Sequence, residues 1–397
     1  MNMTESEQAN IEAPNDTLEP TITDWLRLIL IPACIPVILI QALFRRTRNF
    51  NKNEIAFIPD LSYSAIRFLA RHQFTPISLL RHFSSDTSRV LTSPRFKTQT
   101  SAGNIYQSVL LPKVAGYWLC KGPPGTLISP AKCDIVLYYL HGGAYAEGHP
   151  ARFLAMILRV AEIAAERGIT LSCFGLRYSY APEQKYPKQL EQAVEGYKFL
   201  LHGEGILPER IGVLGDSAGG HLALCLLTSL PGLGLPKPDR GVFLMSPWLD
   251  LRCSIRPSVV RNKYKDFIDR DRLAVLGENI FSSTEELEKC PHRDFTEPLT
   301  GELHWTDILP KRVWMSAGAN EILLDEIVEF KGLLERKGVH VELDIKEGGI
   351  HVWQGMEDVM DAGLYLKIEA GEKLPEGLLK GCTNVAEAVL EGVQKQE

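Results

Sequence analysis

Short apolar runs alternate with longer amphipathic segments along most of the chain. The runs at 134–140, 210–214 and 314–317 are short and rich in branched residues, which is typical of buried strands. Residues 339–345 alternate apolar and polar side chains, which predicts a half-buried strand. Elsewhere apolar residues recur at intervals of three and four, as in a helix that covers a sheet; one such set is Leu190, Ala193, Val194, Tyr197, Leu200 and Leu201. The pattern predicts strands that alternate with sheet-covering helices.

A Gly-x-Ser-x-Gly sequence joins the run 210–214 to a leucine-rich segment long enough for a helix. It reads Gly215-Asp216-Ser217-Ala218-Gly219-Gly220. In a nucleophile elbow, the serine occupies a strained corner between a strand and a helix, and glycines let the two backbones approach closely. The motif also arises by chance in many proteins. Ser217 is therefore a strong candidate nucleophile only if an acid, a base and an oxyanion site accompany it.

Glycines also follow the predicted strand 134–140, in His141-Gly142-Gly143-Ala144. Acyl transfer needs backbone N–H groups directed at the developing oxyanion, worth roughly 3–4 kcal/mol per donor. The residue after the nucleophile contributes a further N–H. The candidate oxyanion hole therefore comprises four residues, the first of which shapes the loop: Gly142, Gly143, Ala144 and Ala218. We expect His141 to hold this loop rather than to carry protons.

A candidate base and a candidate acid follow two later strands. His351 lies in the loop after residues 339–345, and histidine side chains can take and return a proton near neutral pH. Glu321 follows the strand that ends at Gly318. Asp325 is the alternative acid, although a carboxylate there also suits the first turn of a helix. The chain order of serine, acid and histidine is that of α/β-hydrolases.

Together these blocks resemble the hormone-sensitive-lipase family of esterases, over residues 105–353. Two further blocks support the resemblance: Arg177-Tyr178-Ser179-Tyr180-Ala181-Pro182-Glu183 with Tyr186-Pro187, and Ser246-Pro247-Trp248-Leu249-Asp250. The resemblance implies an α/β-hydrolase fold, with a mostly parallel central sheet, helices on both faces and an N-terminal helical cap. It also implies hydrolysis of short or medium acyl esters.

For this chain the resemblance implies a hydrolase domain over residues 53–397, with its cap at about 60–100 and 250–290. An amphipathic helix at 61–83 resembles part of the cap, and residues 107–111 and 117–119 resemble the first antiparallel strands. Two positions depart from the family. Ala144 replaces the last glycine of a triplet, and its N–H can still donate. Glu321 stands where an aspartate is common; some fungal members look similar, so a fungal origin is a hypothesis.

Residues 25–44 are almost wholly apolar, with Arg27 and Gln41 as the strongly polar members. About 20 apolar residues span a bilayer as a helix. We therefore predict a transmembrane or membrane-anchor helix here, after a polar and disordered segment at 1–24. Pro32 and Pro36 would kink this helix, which membrane helices tolerate. The alternatives are a buried cap helix and a monotopic anchor that lies along the membrane.

The charges that flank this segment are asymmetric, because acidic residues precede it and a basic cluster follows it within residues 45–52. Positive flanks stay on the cytoplasmic side. The asymmetry predicts a single-pass protein with an outside or lumenal N-terminus and a cytoplasmic catalytic body, for example on the endoplasmic reticulum. Glycosylation sequons begin at Asn2 and Asn15, before the apolar segment, which agrees with this orientation.

Composition narrows the functional classes further. The formal net charge of −6 argues against nucleic-acid binding. The eight cysteines are scattered, which is typical of free thiols in a reducing compartment. The sequence contains no metal-ligand spacing and no phosphate-binding glycine loop, so we expect neither a metal nor an organic cofactor. The oligomeric state is not indicated.

The sequence therefore predicts a serine ester hydrolase that acts on short or medium acyl esters, including acetyl esters, of a small apolar molecule. Ser217 attacks, His351 is the base, and Glu321 orients the base. One alternative is a biosynthetic acyltransferase or cyclase that uses the same triad. The other is a ligand receptor on a hydrolase scaffold, which resembles the gibberellin receptors; those have lost the catalytic histidine, whereas His351 is present here.

Overall fold

A computed structural model describes residues 19–47, 55–72, 74–82, 85, 87–298 and 304–393. Both glycosylation sequons and most of the segment predicted to be disordered lie outside these residues. The described residues contain one eight-stranded sheet with the order β1-β2-β4-β3-β5-β6-β7-β8. Its strands are β1 Ile105–Leu111, β2 Val114–Cys120, β3 Ile135–Leu140, β4 Leu171–Leu176, β5 Ile211–Asp216, β6 Gly241–Met245, β7 Val313–Gly318 and β8 Glu342–Lys346. β2 pairs antiparallel with β1 and β4, and the remaining pairs are parallel.

The described helices precede, connect and follow these strands. The four before the sheet are α1 Ile22–Thr47, α2 Phe57–Arg71, α3 Ile77–His82 and α4 Thr87–Leu91. Those between strands are α5 Leu154–Glu166, α6 Lys188–Lys198, α7 Ala218–Ser229, α8 Pro257–Arg261, α9 Arg270–Asn279, α10 Thr284–Lys289, α11 Trp305–Ile308 and α12 Leu324–Arg336. α13 Trp353–Tyr365 and α14 Lys380–Leu390 close the described chain.

The continuous apolar runs become strands that are buried on both faces. Alternate side chains point to opposite sides of the sheet, so each strand supplies two cores. Tyr138 and Val213 pack into one core, with residues of α6, α7 and α12. Their neighbours Tyr139 and Leu214 pack into the other, with residues of α5 and α14. The predicted architecture, a mostly parallel sheet with helices on both faces, is confirmed.

Two sequence predictions near the N-terminus were wrong in their boundaries. The predicted helix at 61–83 is interrupted, because α2 ends at Arg71 and α3 begins after Pro76. A residue before proline is disfavoured in the helical region, which explains the break. The segment predicted to be disordered ended at residue 24, whereas α1 begins at Ile22. Thr21 and Asp24 form reciprocal hydrogen bonds there, since the Thr21 N–H donates to Asp24 and the Asp24 N–H donates to the Thr21 hydroxyl. This is a capping box that starts the helix.

The N-terminus of α7 approaches the carboxyl end of β3 more closely than a side chain would allow. A Cβ atom on Gly219 would lie 2.0 Å from the carbonyl oxygen of Leu140. We predict that Gly219→Ala lowers the free energy of unfolding by about 1–3 kcal/mol or more, because the backbone must move to admit the methyl group. Gly232→Ala is the matched control, since nothing lies within 4 Å of its added Cβ. Thermal melts of both variants test this; equal melting temperatures would contradict it.

Candidate active site

Ser217 occupies the corner between β5 and α7, with φ +51° and ψ −120°. Positive φ is uncommon outside glycine, so this backbone must be held by its surroundings. Its N–H donates to Met245 O at 2.9 Å, and its carbonyl accepts from the N–H of Trp248 at 3.1 Å. A Cβ atom on Gly215 would lie 2.6 Å from the carbonyl oxygen of Gly219, so the elbow also requires a glycine before the serine. The result is a serine on a fixed and strained turn.

His351 follows β8, in the loop that leads to α13. Its Nε2 atom lies 2.9 Å from Ser217 Oγ. Only 4% of His351 and 8% of Ser217 are exposed, so this hydrogen bond is largely shielded from water. The structure therefore brings together the two side chains that the sequence assigned as nucleophile and base, although they are far apart in the chain.

Glu321 follows β7 and is fully buried. Its Oε2 atom lies 3.7 Å from His351 Nδ1, which is longer than a hydrogen bond. The same Oε2 accepts from the Ser246 hydroxyl at 2.7 Å, and that hydroxyl accepts from the N–H of Val352 at 2.9 Å. Within the described part of the chain, His351 Nδ1 and Glu321 Oε1 are buried without a hydrogen-bond partner. Because an unpaired buried polar atom is costly, a small approach of these two side chains would be favourable.

Asp325, the alternative acid, lies elsewhere. It is in the first turn of α12, where its Oδ2 atom accepts from the N–H of Ser258 at 2.7 Å. Its other oxygen lies 3.5 Å from Arg261. Both carboxylate oxygens of Asp325 therefore contact the short helix α8, so the geometry favours Glu321 as the acid.

Asp266 is a buried carboxylate that the sequence did not single out. Its Oδ2 atom accepts from the N–H of Ile322 at 3.0 Å. Its Oδ1 atom accepts from the N–H of Phe267 at 2.8 Å and from the N–H of His351 at 3.3 Å. Asp266 therefore joins the loop that carries Glu321 to the loop that carries His351. No sequence signal marked it, because it lies in the mixed, charged segment assigned to the cap.

Burial raises the pKa of Asp266 to about 6. The neighbouring Glu321 charge acts in the same direction, while His351 and the backbone N–H groups oppose it. At neutral pH the carboxylate is ionised beside the imidazole.

Asn262 and Ser258 fix the acid loop from the same side. The Asn262 amide donates to Glu321 O at 2.8 Å and to Ala319 O at 3.0 Å. The Ser258 hydroxyl donates to Ile322 O at 2.8 Å. Side chains of the segment around α8 therefore satisfy most of the carbonyl groups that flank Glu321, which fixes the position of its backbone.

The loop after β3 has an unusual backbone at the residues assigned to the oxyanion hole. Gly143 has φ +114° and Ala144 has φ +51°. The N–H of Gly142 donates to Asp216 Oδ1 at 2.9 Å and is therefore already used. Among the residues that the structure describes, none accepts a hydrogen bond from the N–H groups of Gly143, Ala144 or Ala218. Three backbone donors near the elbow are therefore available to a ligand, and Gly142 shapes the loop.

Two other buried histidines have structural contacts. His141 stacks on Tyr178 with ring centroids 4.3 Å apart, and the Tyr178 hydroxyl donates to His141 O at 2.7 Å. His221 Nδ1 lies 2.7 Å from the Tyr145 hydroxyl, and its Nε2 lies 2.7 Å from the carbonyl oxygen of His292. Burial lowers the pKa of both imidazoles to about 3, so both stay neutral at physiological pH. Neither ring is suited to carry a proton in a reaction.

Taken together, the site combines a serine hydroxyl, a hydrogen-bonded imidazole, a buried carboxylate behind it and free backbone donors. Such a set can transfer an acyl group through a covalent serine intermediate.

Comparison with known proteins agrees with this chemistry. The alpha/beta hydrolase fold family matches residues 137–355. An acetyl-hydrolase of Streptomyces hygroscopicus is 29% identical over 273 residues, which are 64% of this chain and 85% of that protein. An esterase of Acinetobacter venetianus is 28% identical over 218 residues, 55% of this chain and 67% of that protein.

The fold also matches solved structures. One is an esterase from the bacterial hormone-sensitive lipase family, with a TM-score of 0.62 and 23% identity, covering 83% of this chain and 97% of that one. The chain therefore belongs to the alpha/beta hydrolase fold family and is a carboxylesterase-like serine hydrolase.

Proposed function

We propose that this protein hydrolyses carboxylic esters through a Ser217–His351–Glu321 triad. The observation that carries the proposal is the 2.9 Å contact between His351 Nε2 and Ser217 Oγ on a strained elbow. Ser217 Oγ attacks the ester carbonyl while His351 takes its proton. His351 then protonates the departing alcohol, and water activated by the same imidazole releases the acid.

Glu321 and the oxyanion loop stabilise the charges that develop. The Glu321 carboxylate stabilises the imidazolium and orients its ring, and the 3.7 Å separation shortens as the charge forms. The N–H groups of Gly143, Ala144 and Ala218 stabilise the oxyanion. Asp266 holds the acid and histidine loops at a fixed distance, as a positioning residue that does not touch the substrate.

The substrates we propose are short or medium acyl esters of a small apolar molecule. The support is the chemistry named for relatives, since one is an acetyl-hydrolase and another, 27% identical over 247 residues, is an ethyl acetate hydrolase of Pseudomonas putida. We also propose that α1 associates with a membrane, because it is long and apolar enough to cross one. The acyltransferase, cyclase and receptor functions stay alternatives that no particular contact favours.

Ser217→Ala removes the nucleophile while its smaller side chain fits the same corner. We expect turnover of p-nitrophenyl acetate to fall to background and labelling by a fluorophosphonate probe to vanish. Ser282→Ala, at an exposed serine remote from the elbow, is the control and should keep both signals. Labelling that persists in Ser217→Ala would assign the nucleophile to another residue.

Glu321→Gln replaces the buried carboxylate with a neutral amide of the same size. The amide cannot stabilise the imidazolium, so we expect kcat to fall by about 10²–10⁴-fold. Asp325→Asn is the matched control. Its asparagine can still accept from Ser258, so the variant should lose only the exposed ion pair with Arg261 and keep near-normal kcat. Steady-state kinetics of both variants distinguish the two acids, and a larger loss in Asp325→Asn would reverse the assignment.

Asp266→Asn tests the positioning role. The variant keeps the size of the side chain but presents an NH₂ group to one of the backbone N–H donors, which costs about 1–3 kcal/mol. We expect a lower kcat with little change in KM. The acid limb of the kcat/KM profile should move to lower pH, because a negative charge beside the imidazolium is lost. Asp269→Asn is the control, since an asparagine side chain still caps α9 and only the 3.7 Å ion pair with the half-exposed Arg71 is lost. An unshifted pH profile would reduce Asp266 to a purely structural residue.

The same variant has a signature in stability. The Asp266 pKa of about 6 in the folded protein exceeds the value of about 4 in an unfolded chain. The folded state therefore binds the extra proton between these values. The stability that this group contributes is present below about pH 4 and is lost as the pH rises through about 6. Denaturation of wild type and Asp266→Asn across this range should show a smaller pH dependence in the variant.

A further inference from the structure

The longest described helix, α1, lies along the surface of the catalytic body from end to end. At its N-terminal end, the Ser78 hydroxyl of α3 donates to Asp24 at 3.0 Å. At its C-terminal end, Arg45 and Arg46 lie 3.6 Å and 3.3 Å from the fully buried Asp60 of α2. Both ends of the helix are therefore fastened to the same part of the protein.

The positions of α1 that are sheltered from solvent confirm that this contact is continuous. They recur every three or four residues, which places them on one side of the helix; they include Asp24, Leu28, Ile31, Cys34, Ile38 and Ala42. At about 1.5 Å per residue, the 26 residues of α1 extend for about 39 Å. If α1 crossed the bilayer core, which is about 30 Å thick, its two ends would lie on opposite sides of the membrane. One of the two sets of end contacts would then have to break.

The basic cluster that suggested a spanning orientation has another explanation in the structure. Arg45 and Arg46 pair with Asp60, and Arg46 also donates to Ile55 O at 2.9 Å. These arginines are used to attach α1 to α2. The positive-inside rule explains a basic flank by its retention in the cytoplasm. Here the ion pairs with Asp60 explain the two arginines without a spanning helix.

The opposite side of α1 is a long apolar face. Its side chains include Leu26, Ile29 and Ile40, which are 53%, 70% and 65% exposed. The adjoining helix α2 also exposes two apolar side chains, Ile58 and Ile66. An exposed apolar face that runs the length of a helix marks an interaction site in a folded protein. Because the charged ends of α1 are turned to the body, the face offers few polar groups with which a protein partner could pair.

We propose that this face is an in-plane membrane-docking surface, so that α1 lies in one leaflet and the N-terminus stays on the same side as the catalytic body. A helix that presents an apolar side to solvent while its other side packs on the protein suits the hydrocarbon boundary of a lipid bilayer. The protein is then monotopic, and the spanning topology expected from the sequence is replaced by an anchor along the membrane.

The docking surface adjoins the active site on two sides. Arg67 of α2 donates to the carbonyl oxygen of Asp266, the residue that contacts the His351 loop. Arg81 of α3 donates to Ala146 O at 2.7 Å, beside the candidate oxyanion loop. The two helices that hold α1, α2 and α3, are therefore in contact with both halves of the site. With the esterase function proposed above, the substrates are apolar esters dissolved in the bilayer.

Protease protection of the full-length protein tests the topology. One epitope tag precedes Met1 and another follows Glu397, and the protein is recovered in sealed vesicles from the cells that express it. In-plane docking predicts that both tags are digested or both are protected until detergent is added. Tags on opposite sides of the membrane would overturn the proposal, and so would recovery of the protein without membranes. This result does not depend on catalytic activity.

Variants of the apolar face test the docking itself, with phosphatidylcholine vesicles as the probe. Binding to lipid follows the apolar area that is removed from water, so Leu26→Ser/Ile29→Ser/Ile40→Ser should weaken flotation with vesicles by at least about tenfold. The control Val359→Ser/Met360→Ser/Leu364→Ser changes three exposed apolar residues of α13 and should float as the wild type does. Equal flotation of the two variants would exclude α1 as the docking surface.

Two activity measurements separate this proposal from the proposed function. Turnover of p-nitrophenyl acetate in solution and circular dichroism report whether the α1 variant is folded. A medium-chain p-nitrophenyl ester incorporated into the vesicles should be hydrolysed several-fold more slowly by the folded α1 variant than by the α13 control. Equal rates would remove the link between docking and substrate access. If the wild type hydrolyses neither ester, the esterase proposal is contradicted and the topology result still holds.

Discussion

The close packing of α7 against the carboxyl end of β3 is the constraint on which the rest of the site depends. Gly219 admits no side chain there, since its Cβ would lie 2.0 Å from Leu140 O. The contact sets the direction in which the chain leaves β5 and so forces Ser217 into its positive-φ corner. It also sets α7 beside the loop that follows β3, which places three free backbone N–H groups near the elbow. The nucleophile and its oxyanion donors thus follow from one helix–strand contact.

Glu321 and His351 are positioned by a set of buried polar contacts. Glu321 and His351 come from different loops, and neither loop is held by its own sequence alone. Asp266 accepts from backbone groups of both loops, and Ser246 contacts Glu321 and the residue after His351. Because these groups are buried, each missing partner is costly, which keeps the loops in one arrangement. Among the described residues, His351 Nδ1 and Glu321 Oε1 are buried without a hydrogen-bond partner, and they lie where the imidazolium forms.

The sequence predicted what depends on local pattern. Buried strands, the elbow glycines and the loops after β3, β7 and β8 each leave a local signature, so Ser217, His351 and Glu321 could be proposed before the fold was known. Asp266 could not, because its partners Ile322 and His351 are distant in the chain and its own neighbours are ordinary. The packing of α1 against α2 could not be predicted for a related reason. Its composition is that of a spanning helix, while the pairing of Arg45 and Arg46 with Asp60 is a tertiary contact that composition does not contain.

The central claim is that Ser217 becomes acylated and that His351, oriented by Glu321, drives both formation and hydrolysis of the acyl-enzyme. The most direct measurement is mass spectrometry of the Glu321→Gln variant quenched during turnover of p-nitrophenyl acetate, a condition in which slow deacylation lets the intermediate accumulate. The account predicts a mass gain of one acetyl group on the peptide that contains Ser217. An acetyl group on another residue, or steady turnover with Ser217 unmodified at every quench time, would contradict it.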